Sequence, residues 1–349
     1  MKNFDELNLY LVDKISTARP QDKDFHTYLS NLFNDFKNKL ESIDESIFIN
    51  NLPNKHTKID VINIVKNKSK RLLSIFTYYS QGRFATAIKA MENLIFDVNH
   101  PYRMLELEEN EEWFRARTLE KDNRQYSSDE MFHMPFEKRH LIKNYRYSIS
   151  GYPCLYIGKT IMACWEEMKK PSLYDFCVAK LVTRDKIKVL DLTLPEKNKV
   201  IQPLFGGKSD EEKRNDLYLL LATWPIIIAC SIPTAFPDSP FKPEYVIPQL
   251  LMQVIQSKNK SIYGVAYTST RRDITLDPEL STHLNIALPA RNVKKMGHCP
   301  DLKSKFEITR GVPYMEAEIK NCFHKEKSYT LNEYEKTKFY QLEHFLNNI

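Results

Sequence analysis

No stretch of this chain approaches eighteen uninterrupted apolar residues, the length that a helix needs to cross a bilayer. Met1 to Lys14 is broken by Asp, Glu and Asn where a secretory leader would carry an apolar run. A cytoplasmic location with no membrane partner is therefore expected. The six cysteines, Cys154, Cys164, Cys177, Cys230, Cys299 and Cys322, include no Cys-x-x-Cys pair. They read as reduced thiols in a chain too large to need covalent staples. Charge of one sign is not gathered anywhere: the net charge is +6 over 349 residues, with Lys and Arg interleaved with Asp and Glu. A nucleic-acid binder would need a clustered basic and aromatic stripe. Nucleic acid is thus an unfavoured partner, and a non-enzymatic nucleic-acid-binding or scaffold role stands as the alternative from another class, predicting steep salt dependence. Internal repeats and low-complexity runs are missing too.

An apolar fraction of 42% supplies a proper core. Phe25, Tyr28, Leu29, Leu32, Phe33, Phe36 and Leu40 form a helical stripe. Val61 to Phe76 is a second helical candidate, and the period restarts after Gly82 through Phe84, Ile88, Met91, Ile95 and Val98. After the acidic stretch Glu106 to Glu112 the texture changes to short β-like runs at Cys154–Gly158, Phe176–Thr183, Ile187–Thr193 and Ile262–Ser269. Helical patterns at Met162–Lys169, Asp216–Ser231 and Tyr245–Gln256 separate them. This mixture without a steady βαβ rhythm predicts an α+β fold. The expected organisation is a helical domain over 1–105, a catalytic domain over 106–325 and a C-terminal helix over 326–349, opened by a capping box of Thr330 and Glu333.

Three patterns carry little chemistry. Arg19 and His26 echo the Arg/His pair of HEPN ribonucleases, but Pro20, Gln21 and Asp22 argue against a shared helical face. His298, Cys299, Cys322 and His324 include two residues of each zinc-ligating type at loose spacing, and no metal site is assigned. Phe205-Gly206-Gly207-Lys208 lacks the rest of a phosphate-binding loop and reads as a turn.

The informative stretch runs from Trp113 to Lys169, with a late echo at Tyr263 to Arg271. Cys154 to Ile157 is a short apolar strand ended by Gly158. Ile161, Cys164, Trp165 and Met168 then make a helix face at i, i+3, i+4 and i+7. Glu167 falls off that stripe, where it could line a cleft at the strand–helix junction. Arg146, Tyr147, Gly151, Pro153, Leu155 and Tyr156, with Glu167 eleven residues later, match a block of the RES domain family. Phe114-Arg115 and Tyr267-Thr268-Ser269 fit that family's shorter Arg and Ser elements. About half of the chain, from Trp113 to about Pro289, thus resembles a family whose members include bacterial toxins that destroy NAD.

The resemblance implies an ADP-ribosyltransferase-like core of two small split sheets around NAD, which is a substrate here, with no further cofactor. It implies Glu167, Ser269 and Tyr156 as catalytic residues and Arg115, Arg146 and Tyr156 as NAD contacts. Glu166 and Arg117 are rivals of Glu167 and Arg115. Breaking the nicotinamide–ribose bond builds positive charge on the sugar, which suits a carboxylate. Guanidinium forks suit the pyrophosphate, and an aromatic ring suits nicotinamide. Ser269 has no catalytic His near it in sequence and no nucleophile elbow, and is read as a positioner. The expected activity is NAD glycohydrolysis or phosphorolysis in a toxin or defence effector, with ADP-ribosylation of a protein as the alternative. An antitoxin-like inhibitor, or a homo-oligomer formed through the N-terminal domain, is the expected protein partner.

Overall fold

The computed structural model describes residues 4–16, 19–53, 55–97, 101–119, 125–194, 209–258, 261–271, 280–315 and 338–348. The expected capping box at Thr330 and Glu333 lies outside them. The chain divides into two compact units. Unit 1 takes Met1–Leu105, Asn144–Ile149 and Leu190–Lys260; unit 2 takes Glu106–Lys143, Ser150–Val189 and Ser261–Ile349. Residues 144–149 and 190–260, expected within the second domain, are grouped with the N-terminal helices. Among the described residues no helix is long and apolar enough to cross a membrane.

Unit 1 is helical: α1 Phe4–Ser16, α2 Phe25–Ser42, α3 Glu45–Asn51, α4 Lys58–Ser80, α5 Phe84–Ile95, and, after the intervening strands, α8 Asp210–Ser231 and α9 Val246–Lys258. The stripe from Phe25 to Leu40 is buried as its period predicts, and Asp24 caps α2 by accepting from the Thr27 N–H at 2.8 Å. Thr57 and Asp60 form a reciprocal capping box on α4. Gly82 turns the chain between α4 and α5 with φ +75°, a conformation that costs glycine little. Helix α8 explains why 190–260 belongs here. From Leu217 to Ser231 almost every side chain is buried, so it has no polar face to offer solvent and must be surrounded by other helices. Its indole Trp224 lies 5.9 Å from the Phe36 ring of α2. Lys68 of α4 is wholly buried, donates to Pro101 O and Ala222 O at 2.9 Å each, and is pushed by burial down to about 7.

Unit 2 carries the sheet, ordered β1-β5-β6-β7-β3-β2-β4-β8 with β9 also on β4. The strands are β1 Met104–Leu107, β2 Glu112–Thr118, β3 Cys154–Gly158, β4 Phe176–Thr183, β5 Ile187–Leu192, β6 Val265–Thr268, β7 Leu284–Pro289, β8 Phe306–Ile308 and β9 Val312–Pro313. Of β1 and β5 only residues 106–107 and 187–189 fall in this unit. The unit's helices are α6 Ser128–Met131, α7 Ile161–Glu167, α10 Pro300–Ser304 and α11 Lys338–Leu346. The fold is α+β, as the sequence predicts.

The pairing is uneven in a way that matters for the site. Strand β2 is in register with β4 along its whole length, from Glu112↔Val182 to Thr118↔Phe176, and β3 with β7 from Cys154↔Pro289 to Gly158↔Asn285. Between β2 and β3 there is one register pair, Phe114↔Gly158. The sheet is therefore a fork whose halves, β6-β7-β3 and β2-β4-β8, part beyond that pair.

Candidate active site

Strand alternation sends Phe114 and Ala116 to one face of β2 and Trp113, Arg115 and Arg117 to the other. Phe114 joins Ile161, Cys164, Phe176, Val178, Leu342 and Leu346 in the core beneath α7 and α11. Gly158 lets α7 approach this closely: a Cβ there would lie 2.8 Å from Cys164 Sγ and 3.2 Å from Asn285 Oδ1. The Cys164 thiol donates to Phe114 O at 3.2 Å, and burial pushes it up to about 12, so it is no thiolate nucleophile.

Arg115 sits at the fork. Its Nη1 donates to Tyr156 O at 2.8 Å, while its Nε is sealed from solvent with no hydrogen-bond partner. Burial first, and the Arg117 charge second, push it down to about 10. It remains a cation at neutral pH, with donor capacity that the protein does not use. Arg117 gives Nη1 to Glu130 O and lies 5.4 Å from the Tyr126 ring. His133, buried near Arg115, donates Nδ1–H to Met134 O at 2.8 Å and accepts the Cys299 N–H on Nε2 at 2.9 Å. Burial is the chief cause that pushes it down to about 4, so the ring is neutral.

The two neighbouring carboxylates of α7 diverge. Thr160 caps the helix by accepting the Ala163 N–H at 3.0 Å and gives its own hydroxyl to Thr282 O at 2.7 Å. Glu343 of α11 accepts the Ile161 N–H at 2.7 Å, an anion at a helix N-terminus. With α7 fixed in this way, Glu166 points inward. It is fully buried and accepts from His283 Nδ1, also fully buried, at 2.6 Å. Glu167 is half-buried and accepts the Ser269 hydroxyl proton at 2.7 Å. Ser269, wholly buried at the end of β6, accepts the Arg271 N–H at 3.1 Å and donates its own N–H to His283 O at 3.2 Å. Arg271 Nη1 reaches Glu167 O. Two residues 102 positions apart thus form one polar unit, Glu167–Ser269, braced from behind by Glu166–His283.

Unit 2 holds Arg115, Tyr156, Glu167 and Ser269 among the residues predicted from sequence. Tyr156, half-buried on β3, shares the face of Gly158 by strand alternation and gives its carbonyl to Arg115. Arg146 belongs to unit 1. Its Nη1 and Nη2 donate to Cys230 O and Ile232 O at 3.0 and 2.8 Å, capping the C-terminal end of α8, and its guanidinium lies 5.1 Å from the Tyr245 ring. Sequence reasoning did not single out His283, Arg271 and Glu343. Of these, Arg271 was in reach, since it stands two residues after the Ser of the quoted segment.

The described parts of the remaining sequence patterns have structural partners. Arg19 lies before α2 and pairs with Glu244 at 2.9 Å, both buried, whereas His26 is within α2. Cys299 is a buried free thiol beside His133. Cys322, His324 and Phe205–Lys208 lie outside the described residues. Among the described residues no cluster of three or more His, Cys, Asp or Glu could hold a metal.

No family model and no solved structure matches the chain. The chain is 28% identical to a protein of Bacillus subtilis (strain 168) named "Putative toxin YopC", over an alignment that takes in 98% of this chain and 80% of that protein. The similarity therefore spans both units, the helical one as well as the one that holds Arg115, Glu167 and Ser269.

Proposed function

We propose that this protein is a toxin that cleaves the N-glycosidic bond of NAD, releasing nicotinamide. The similarity to a protein named as a toxin supports the biological role. The Glu167–Ser269 hydrogen bond is the observation that carries the chemistry. As the bond breaks, its electron pair leaves with nicotinamide, which becomes neutral, and positive charge spreads over the ribose carbon and ring oxygen. A carboxylate whose position is fixed by a buried hydroxyl lowers the energy of that state without reorganising. In this reading Glu167 holds the ribose hydroxyls, Ser269 aims Glu167, and Tyr156 flanks the nicotinamide end. Arg115 takes the pyrophosphate, because its guanidinium is charged, enclosed and incompletely bonded. With water as acceptor the products are nicotinamide, ADP-ribose and a proton; with phosphate the ribose carbon takes the phosphate oxygen.

The test is to incubate the purified full-length chain with NAD, with and without phosphate, and to identify products by chromatography and mass. Stoichiometric nicotinamide with ADP-ribose or its 1″-phosphate supports the reading. Intact NAD in both arms overturns it. In cells, unrestrained expression is expected to lower NAD and stop growth, whereas Glu167→Gln protein at equal abundance does neither. An inhibitory partner protein would be the natural restraint on such an activity.

A further inference from the structure

Unit 1 holds a groove between α2 and α4 with a volume of about 360 Å³, within the range of small-molecule sites, roughly 300–1,000 Å³. Its rim is cationic. Lys37 comes from α2, and Lys66 and Lys70 stand one helical turn apart on α4. No carboxylate lines it; the ion pair Lys37–Glu41, 3.7 Å long, runs along α2 to a residue outside the lining. Apolar surface is supplied by Phe33, Leu73 and Tyr78.

The floor gives a second, independent indication. Ser69 is 7% exposed, and its Oγ is buried with no hydrogen-bond partner. Ser74 and Thr77 on the same helix satisfy themselves by donating to Lys70 O and Leu73 O, the usual outlet for a hydroxyl within a helix. Ser69 does not, although leaving a buried hydroxyl without a partner is destabilising. Its Oγ is closed to solvent as it stands, so a ligand would complete it by drawing the hydroxyl round toward the groove that Ser69 lines.

We propose that this groove binds a phosphorylated small molecule of nucleotide size. Its phosphates meet Lys37, Lys66 and Lys70, its uncharged part packs on Phe33, Leu73 and Tyr78, and Ser69 bonds to it once its hydroxyl has turned toward the groove. The site is separate from the residues assigned to NAD, and the proposal does not depend on that assignment. A groove of this volume favours a small molecule over an acidic protein segment.

The test is calorimetric titration of the full chain with ATP, with adenosine, inorganic triphosphate and a polyglutamate peptide as the other arms. ATP is expected to bind more tightly than triphosphate, and adenosine and the peptide much more weakly than either. The double variant Lys66→Ala/Lys70→Ala, at exposed positions that folding tolerates, should weaken ATP about tenfold or more through the loss of charge-assisted bonds. Ser69→Ala should weaken it a few-fold with an unchanged or higher melting temperature, and Arg115→Lys should leave ATP affinity as it is. The proposal is overturned if ATP fails to bind at millimolar concentration or binds the double variant equally well. It is also overturned if the peptide binds more tightly than ATP, or if Arg115→Lys abolishes ATP binding.

Discussion

Arg146 in unit 1 and Arg115 in unit 2 are the two arginines expected to grip one pyrophosphate, and their surroundings are opposite. Both terminal nitrogens of Arg146 hold carbonyls at the end of α8. Arg115 makes one bond to Tyr156 O and keeps a buried Nε without a partner. The adjacent carboxylates of α7 repeat the contrast: Glu166 is enclosed with His283, and Glu167 is half-exposed with Ser269. Spacing along the chain brings the right residue types into register. What each then does is decided by whether the fold already satisfies it.

That contrast can be broken experimentally. Residues committed to the fold should cost stability and leave the chemistry of the survivors unchanged, and residues with unused capacity should do the reverse. The largest expected loss of stability is at Glu166→Ala, which leaves buried His283 without its partner and should lower the unfolding free energy by about 3 kcal/mol, read from chemical denaturation. An unchanged midpoint would mean that the pair is not needed to hold α7.

Next comes pH. His133 has its folded value pushed from 6.5 to about 4, so between those values the unfolded chain binds the proton and the folded chain does not. Stability is full above about pH 6.5 and falls as pH drops toward 4, by about 3 kcal/mol for a shift of this size. His133→Gln should flatten that part of the profile; a slope that survives the substitution assigns the acid sensitivity to another group.

Gly158→Ala should cost about 1–3 kcal/mol, since the added methyl must displace Cys164 or Asn285. The arginines make the finest comparison. Arg146→Lys should lower stability by about 1 kcal/mol with NAD affinity intact, and Arg115→Lys should weaken NAD several-fold with stability nearly intact. If the two effects come out exchanged, the assignment of the two guanidiniums is reversed.

Much of the local structure could be read from the chain. Strands β3 and β4 have the predicted ends because an apolar run meets Gly158 in one case and Arg184 in the other. Helix α2 begins at Phe25, where its stripe begins. Helix α8 starts six residues before the predicted Asp216, since its first turns, Asp210–Asn215, are polar and only the Ser209–Glu212 capping box marks them. The same helix hid the unit structure: a sequence apolar on all sides has no period to show which layer surrounds it. At the candidate site, Arg115, Tyr156, Glu167 and Ser269 were named through the resemblance to the RES family and not from periodicity. The inward turn of Glu166 was not legible, because it depends on His283, 117 residues away, and the commitment of Arg146 depends on where α8 ends.

The most direct test of the account is the NAD turnover of Glu167→Gln beside Glu166→Gln and the unaltered chain, each shown by circular dichroism to be folded. Removing a preorganised charge from the reacting centre should cost roughly a hundredfold or more. That loss is expected for Glu167→Gln at an unchanged melting temperature, and a lower melting temperature with near-normal turnover of the folded fraction for Glu166→Gln. A Glu167→Gln protein that consumes NAD at the rate of the unaltered chain would contradict it.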